Sequence, residues 1–186
     1  MMVEALEVVA LRLFEQRGFD AVTIEDIAAE AQISSRTFYR YFPAKEDVLQ
    51  VAIERRSEAL RSALEARPED EPPLHSLSQA LETVLSGEDP AAVRRWIGVI
   101  QATPGVLRSV VGGIQLKSHR VIAEFFGSRM GLPGDALVPT VLAAATGGVI
   151  QAGQTQWYLR GGDLATTVSE SLGVLESALG ATLPTG

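Results

Sequence analysis

Between residues 23 and 49 the chain is punctuated so tightly that only two short helices and the start of a longer one fit. Thr23 is a good helix N-cap, and Asp26 follows three residues later, close to the spacing of a capping box. Val22 and Ile27 flank the cap as a hydrophobic staple. Ile27, Ala28 and Ala31 then give a narrow apolar stripe whose small members let another helix approach closely. Ser34 is the next N-cap, with Ile33 and Phe38 as its staple.

The helix expected from 35 to 42 divides at 100° per residue into two faces. Phe38, Tyr41 and Phe42 fall on one side, and Ser35, Arg36, Tyr39 and Arg40 on the other. The second face offers cations, a hydroxyl and a phenol. The chain as a whole is acidic, with 23 Asp and Glu against 16 Lys and Arg and a net charge of -7. Yet from Ile33 to Lys45 the charged residues are Arg36, Arg40 and Lys45 alone. A local cation cluster on an acidic protein suggests a surface that meets phosphate. With helix-turn-helix spacing around it, that surface suits a DNA major groove.

Residues 5 to 50 resemble the DNA-binding domain of the tetracycline-repressor (TetR) family of bacterial one-component regulators. The matching residues are Ala10, Leu13, Phe14 and Gly18-Phe19, then Thr23, Ile27-Ala28 and Ala31, then Ser34, Thr37-Phe38-Tyr39, Tyr41-Phe42 and Lys45-Glu46. The resemblance implies an all-α, nine-helix fold, with a helix-turn-helix head over 1–46 and an effector-binding and dimerisation body over 47–186. It implies base-edge or sugar-phosphate readers at Ser35, Arg36 and Tyr39, Arg36 being able to pair bidentately with a guanine. Thr37, Tyr41 and Lys45 match phosphate clamps, Ser34 opens the recognition helix, and Thr23 is either a phosphate contact or only a cap. Tyr41 can also be read as core, and Arg40 as a phosphate contact or a solvated side chain. Gln32 stands where the family usually has a turn Gly, which makes the turn strained or reshaped. Ala44 stands where a capping Ser is common. The family often carries a basic segment ahead of the first helix. Here the sequence opens on Met1-Met2, so such an arm is either trimmed or lacking.

The remainder reads as helices with clear breaks. A helix from about 45 to 66 is followed by the acidic, Pro-rich stretch Arg67 to Pro73. Further helices are expected over about 74–85, 90–102, 104–129, 135–159 and 164–179, the last three separated by Gly131-Leu132-Pro133-Gly134 and by Gly161-Gly162-Asp163. Ala136 to Leu159 has no charged residue but three glutamines, so it reads as a helix buried in protein and not as a membrane span. Ala143, Gly147, Ile150 and Gln154 recur along it at helical spacing and would admit a close neighbour. In the family the last two helices pair with those of a second subunit. The resemblance therefore implies a homodimer on a palindromic, double-stranded DNA operator.

The body should hold a small apolar or acyl-type effector. Candidate contacts are Trp96, Val99, Ile100, Leu107, Val111, Ile114, Gln115, His119, Thr146, Ile150, Gln151 and Trp157, each of which can equally be core. The stretch from Trp96 to Trp157 loosely resembles a subgroup with acyl-CoA-like effectors. Arg94, Arg95, Arg108, Lys117 and Arg120 could supply cations for such a ligand. With no Cys and only His75 and His119, no nucleophile, metal cluster or paired acid and base stands out. The expected protein is therefore not an enzyme, needs no cofactor or metal, and works in the cytoplasm, no secretory signal being visible. It is read as a repressor released by its effector. The alternative is a helical small-molecule-binding protein without DNA binding.

Overall fold

The structure is a computed structural model that describes the backbone of residues 2–182, and their side chains except at 104, 106–116 and 179–182. Nine α-helices occupy the described residues: α1 (Met2–Arg17), α2 (Ile24–Glu30), α3 (Ser35–Tyr41), α4 (Val51–Glu65), α5 (Pro73–Ser86), α6 (Pro90–Ala102), α7 (Pro104–Met130), α8 (Leu137–Arg160) and α9 (Leu164–Thr182). The expected fourth helix differs at its start. Lys45–Gln50 is a 3-10 helix, and α-helical winding begins at Val51. No side chain caps that turn at Ala44. Instead the Asp47 carboxylate, three residues on, accepts the Ala44 N–H at 2.8 Å.

The chain forms two compact units. The head unit comprises Met1–Arg55 and Asp89–Ile114, and the body unit Arg56–Glu88 and Gln115–Gly186. A boundary at residue 46 therefore does not describe the packing, because α6 belongs with the head. Val99 and Ile100 are buried in the same cluster as Leu6, Phe14, Ile27, Phe38, Phe42 and Leu49. The Trp96 indole N–H donates to the Leu49 carbonyl at 3.0 Å, and Arg95 pairs with Glu15 of α1 at 2.6 Å. Trp96 and Ile100, expected among the effector contacts of the body, are thus head residues. An apolar helical face announces burial but not the core it joins.

In the body, α9 packs against both α5 and α8. Gly161 and Gly162 adopt φ of +80° and +93° and end α8, and the buried Trp157 indole N–H donates to the Gly162 carbonyl at 3.0 Å. Asp163 then caps α9 by accepting the Thr166 N–H at 2.8 Å, which lowers its carboxyl pKa. Of the stripe Ala143, Gly147, Ile150 and Gln154, Gly147 faces His119 of the chain's own α7. A Cβ added at Gly147 would lie 2.3 Å from His119 Nε2. A different stripe, Val138, Val141, Ala145, Gly148, Ala152 and Leu159, is exposed. Among the described residues no helix is long and apolar enough to cross a membrane.

Candidate nucleic-acid interface

The head's geometry follows from its caps. The Thr23 hydroxyl accepts the Asp26 N–H at 3.1 Å, and the Asp26 carboxylate accepts the Thr23 N–H at 2.8 Å, so the capping box is complete. The Thr23 hydroxyl also donates to Asp26 at 2.7 Å, and these bonds from Thr23 lower the Asp26 pKa. That hydrogen is therefore committed within the cap. Val22 and Ile27 are both buried, as a staple requires.

The turn into α3 is a Schellman motif. The Ile33 N–H donates to the Ala28 carbonyl at 2.9 Å and the Gln32 N–H to the Ala29 carbonyl at 3.1 Å. This pattern needs a left-handed residue between them, and Gln32 supplies it at φ +56°. Of the two expected outcomes, the turn has kept its shape and carries the strain. Ser34 then caps α3 by accepting the Thr37 N–H at 3.1 Å, and the Ser34 and Thr37 hydroxyls lie 2.9 Å apart. One of those two hydroxyls donates to the other, which leaves one hydroxyl hydrogen for an outside acceptor.

Phe38 and Phe42 stack at 5.4 Å between centroids and are buried, fixing the inner face of α3 against the head core. Arg36, Tyr39, Arg40 and Tyr41 are exposed, and Ser35 and Thr37 half-buried. Tyr41, readable as phosphate clamp or as core, has an exposed side chain and is not core. Its phenol oxygen accepts from the Arg40 guanidinium at 3.1 Å. Electrostatics single out this face. Arg12, Arg17, Arg55, Arg56, Arg61, Arg67, Arg95 and Arg120 each pair with a carboxylate. Among the described residues, Arg36 and Arg40 have no such partner. In an acidic chain, the cations left for an external anion include those on α3.

Lys45, expected as a phosphate clamp, also has partners within the head. Its ammonium donates to the Phe19 and Val22 carbonyls at 2.6 and 2.7 Å and lies 4.2 Å from the Phe19 ring centroid. Two of its three N–H groups thus tie the 3-10 turn to the loop before α2. The carbonyl partners lie 26 and 23 residues upstream, beyond the reach of a local pattern.

The expected effector contacts fall in both units. Trp96 and Ile100 lie in the head. Leu107, Val111 and Gln115 lie outside the described side chains. In the body, Thr146 is buried and spends its hydroxyl on the Leu142 carbonyl at 2.7 Å. Trp157 is core, His119 and Ile150 are half-buried, and Gln151 is exposed. Arg95 and Arg120, expected to serve an acylated nucleotide, are ion-paired to Glu15 and Glu124. A cleft of about 530 Å³ does open in the body, between Arg61 and Leu64 of α4 and Val121, Glu124, Phe125 and Arg129 of α7. Among the described residues, none of the expected contacts lines it. Arg61 there meets Glu124 at 2.9 Å, and Arg129 donates to the Pro68 carbonyl at 2.6 Å.

Two short helices joined by a tight turn, the second held by its aromatic residues and presenting unpaired cations outward, define a helix-turn-helix DNA-binding protein. Residues 8–52 match the family model described as bacterial regulatory proteins, tetR family, and residues 71–180 match the MftR C-terminal domain. The HTH-type transcriptional regulator TcmR of Streptomyces glaucescens is 33% identical over 185 residues, covering 94% of this chain and 80% of that protein. A TetR-family regulator of Syntrophomonas wolfei superposes with a TM-score of 0.75 at 16% identity, over 100% of this chain and 98% of that one. The Thermus thermophilus repressor FadR, solved in complex with lauroyl-CoA, superposes with a TM-score of 0.66 at 21% identity, over 99% of this chain and 96% of that one. The chain belongs to the TetR family of bacterial transcriptional regulators.

Proposed function

We propose that the protein is a homodimeric, cytoplasmic repressor that leaves a palindromic operator when a small apolar or acyl-type ligand enters its body. The observation that carries the reading is the outer face of α3, where Arg36 and Arg40 have no carboxylate partner among the described residues and Tyr39 is exposed. Arg36 reads a base edge with help from Ser35 and Tyr39. Thr37 and Tyr41 hold the backbone, while Ser34 and Thr23 act first as caps. The dimer rests on the exposed stripe of α8, from Val138 to Leu159, whose alternating three- and four-residue spacing suits a second helix. It would set the two recognition helices about one turn of DNA apart.

The effector reading is supported by the apolar character of α8 and by the likeness to FadR, which was solved with an acyl-CoA. His119 and Ile150, half-buried, are the contacts in the body best placed to meet a ligand without unfolding. Release requires the ligand to favour the DNA-free state by a coupling of about 1–3 kcal/mol. Calorimetric titration of a ligand into protein with and without operator tests this, and equal affinity in both would overturn it.

A gel-shift on the intergenic DNA beside the protein's own gene tests the DNA-binding reading. A discrete complex that survives excess random DNA is expected. Arg36→Ala should abolish it while the melting temperature stays unchanged. A complex indifferent to Arg36 would overturn the assigned reading face.

A further inference from the structure

Arg40 and Tyr41 are neighbours in sequence, and on an α-helix successive side chains project about 100° apart and do not face each other. Here they nevertheless meet. The Arg40 guanidinium lies 5.0 Å from the Tyr41 ring centroid and donates an N–H to the phenol oxygen at 3.1 Å. Extended, Arg40 would stand one turn beyond Arg36 on the same face, where a base reader belongs. Bent aside, it leaves that face to Arg36 and carries its charge to the rim of α3. No Asp or Glu occurs from Ala31 to Lys45, so no carboxylate of this segment draws it elsewhere.

The bond has a direction that matters. The phenol oxygen accepts from the guanidinium, so its own hydrogen remains available to a further acceptor. Accepting a bond from a cation polarises the phenol and strengthens it as a donor, as hydrogen bonds in a chain reinforce one another. Beside that hydroxyl stand the remaining guanidinium N–H groups. Two adjacent donors, one of them charged, fit the oxygens of one backbone phosphate and carry no base preference.

We infer that Arg40 and Tyr41 form a composite clamp on a single DNA backbone phosphate, Arg40 both bonding the phosphate and holding and polarising the Tyr41 phenol. The inference rests on the DNA-binding reading above and gives Arg40 a role within it that is independent of sequence readout.

A double-mutant cycle tests the clamp, using the full-length protein, a duplex that the wild type selects from a random pool, and a scrambled duplex. Arg40→Ala and Tyr41→Phe should each weaken binding about fivefold to tenfold. The double variant should be little worse than the poorer single one. Arg40→Ala should also lower the salt slope by about 0.9, whereas Tyr41→Phe leaves it unchanged. The preferred operator sequence should be the same in all variants. Losses that multiply, or a base preference that shifts with Arg40, would overturn the clamp. Nuclear magnetic resonance of the protein without DNA gives an independent check. The Arg40 Cδ protons should be shifted by the Tyr41 ring, in Tyr41→Phe as well but not in Tyr41→Leu. Absence of that shift in the wild type would also overturn it. A wild type that retains no duplex would sink the DNA-binding reading itself, a result separate from any defect of the variants.

Discussion

The ammonium of Lys45 is bound to the backbone of Phe19 and lies against its ring: Nζ is 2.6 Å from the carbonyl oxygen and 4.2 Å from the ring centroid. With the bond to the Val22 carbonyl, this places a cation inside the corner formed by the loop before α2 and the 3-10 turn. Bonds to a charged donor contribute more than neutral ones. Removing the donor takes its bond from the Val22 carbonyl and leaves the Phe19 carbonyl only the long one from the Val22 N–H at 3.4 Å. Lys45→Met should therefore destabilise the head by about 1–3 kcal/mol, seen in urea unfolding. A mere phosphate clamp would instead leave stability untouched and reduce the salt slope of DNA binding by about 0.9. The two measurements separate the roles.

Gln32 is the strained residue of the helix-turn-helix. At φ +56° its side chain crowds the backbone in a way that glycine escapes. Gln32→Gly should stabilise the protein by about 1 kcal/mol, the approximate left-handed penalty of a residue with a Cβ. Its Schellman bonds, and hence the α2–α3 angle, should persist, so operator affinity should hold. Gln32→Ala keeps the Cβ and should give none of this gain. Thermal unfolding of the three proteins checks the order.

The head was legible in sequence because its signals are local. The caps at Thr23 and Ser34 and the staple of Val22 and Ile27 act within a few residues, and each is found where expected. Gln32 was legible as a conflict, though sequence left two resolutions open. What could not be read required a partner far along the chain. The bonds of Lys45 to the carbonyls of Phe19 and Val22 leave no sequence signature. Trp96 and Ile100 belong to the head core, yet their spacing marks only a buried helical face. On α8 most positions are apolar or small, so the sequence could not say which of them meet the chain's own helices and which stay exposed. Tyr41, readable as clamp or as core, is open in sequence for a similar cause: it lies at the border of two faces, and packing decides such positions.

Glu71 should shape the acid limb of stability. The hydrogen bonds from Arg67 and then from Ser76 lower its carboxyl pKa from the usual 4.5 to about 2. A carboxyl whose pKa falls on folding stabilises the native state above its unfolded pKa. This contribution is thus complete above about pH 4.5 and is lost as the pH falls toward about 2. Glu71→Gln should lower the urea midpoint at neutral pH and bring it toward the wild-type value at about pH 3. An unchanged gap between the two proteins across that range would show that the carboxylate charge does not anchor the α4–α5 loop.

Two glycines of α8 should respond oppositely to the same substitution. A Cβ at Gly153 would lie 2.8 Å from Ser171 Oγ, 3.1 Å from Val168 Cα and 3.3 Å from the Thr167 carbonyl oxygen. The serine can rotate away, but the α9 backbone cannot. Overpacking costs about 1–3 kcal/mol, against about 1 kcal/mol recovered because alanine favours the helix. Gly153→Ala should thus lower stability by up to about 2 kcal/mol at every protein concentration. Gly148 has nothing within 4 Å and lies on the exposed stripe. Gly148→Ala should raise the stability of the isolated subunit by up to about 1 kcal/mol. If that stripe is the dimer interface, the added methyl group stands between two helices and loosens the pair. Unfolding measured at several concentrations, with sedimentation equilibrium for the dimer constant, distinguishes these effects. A Gly148→Ala protein as tightly dimeric as the wild type would move the interface off this stripe.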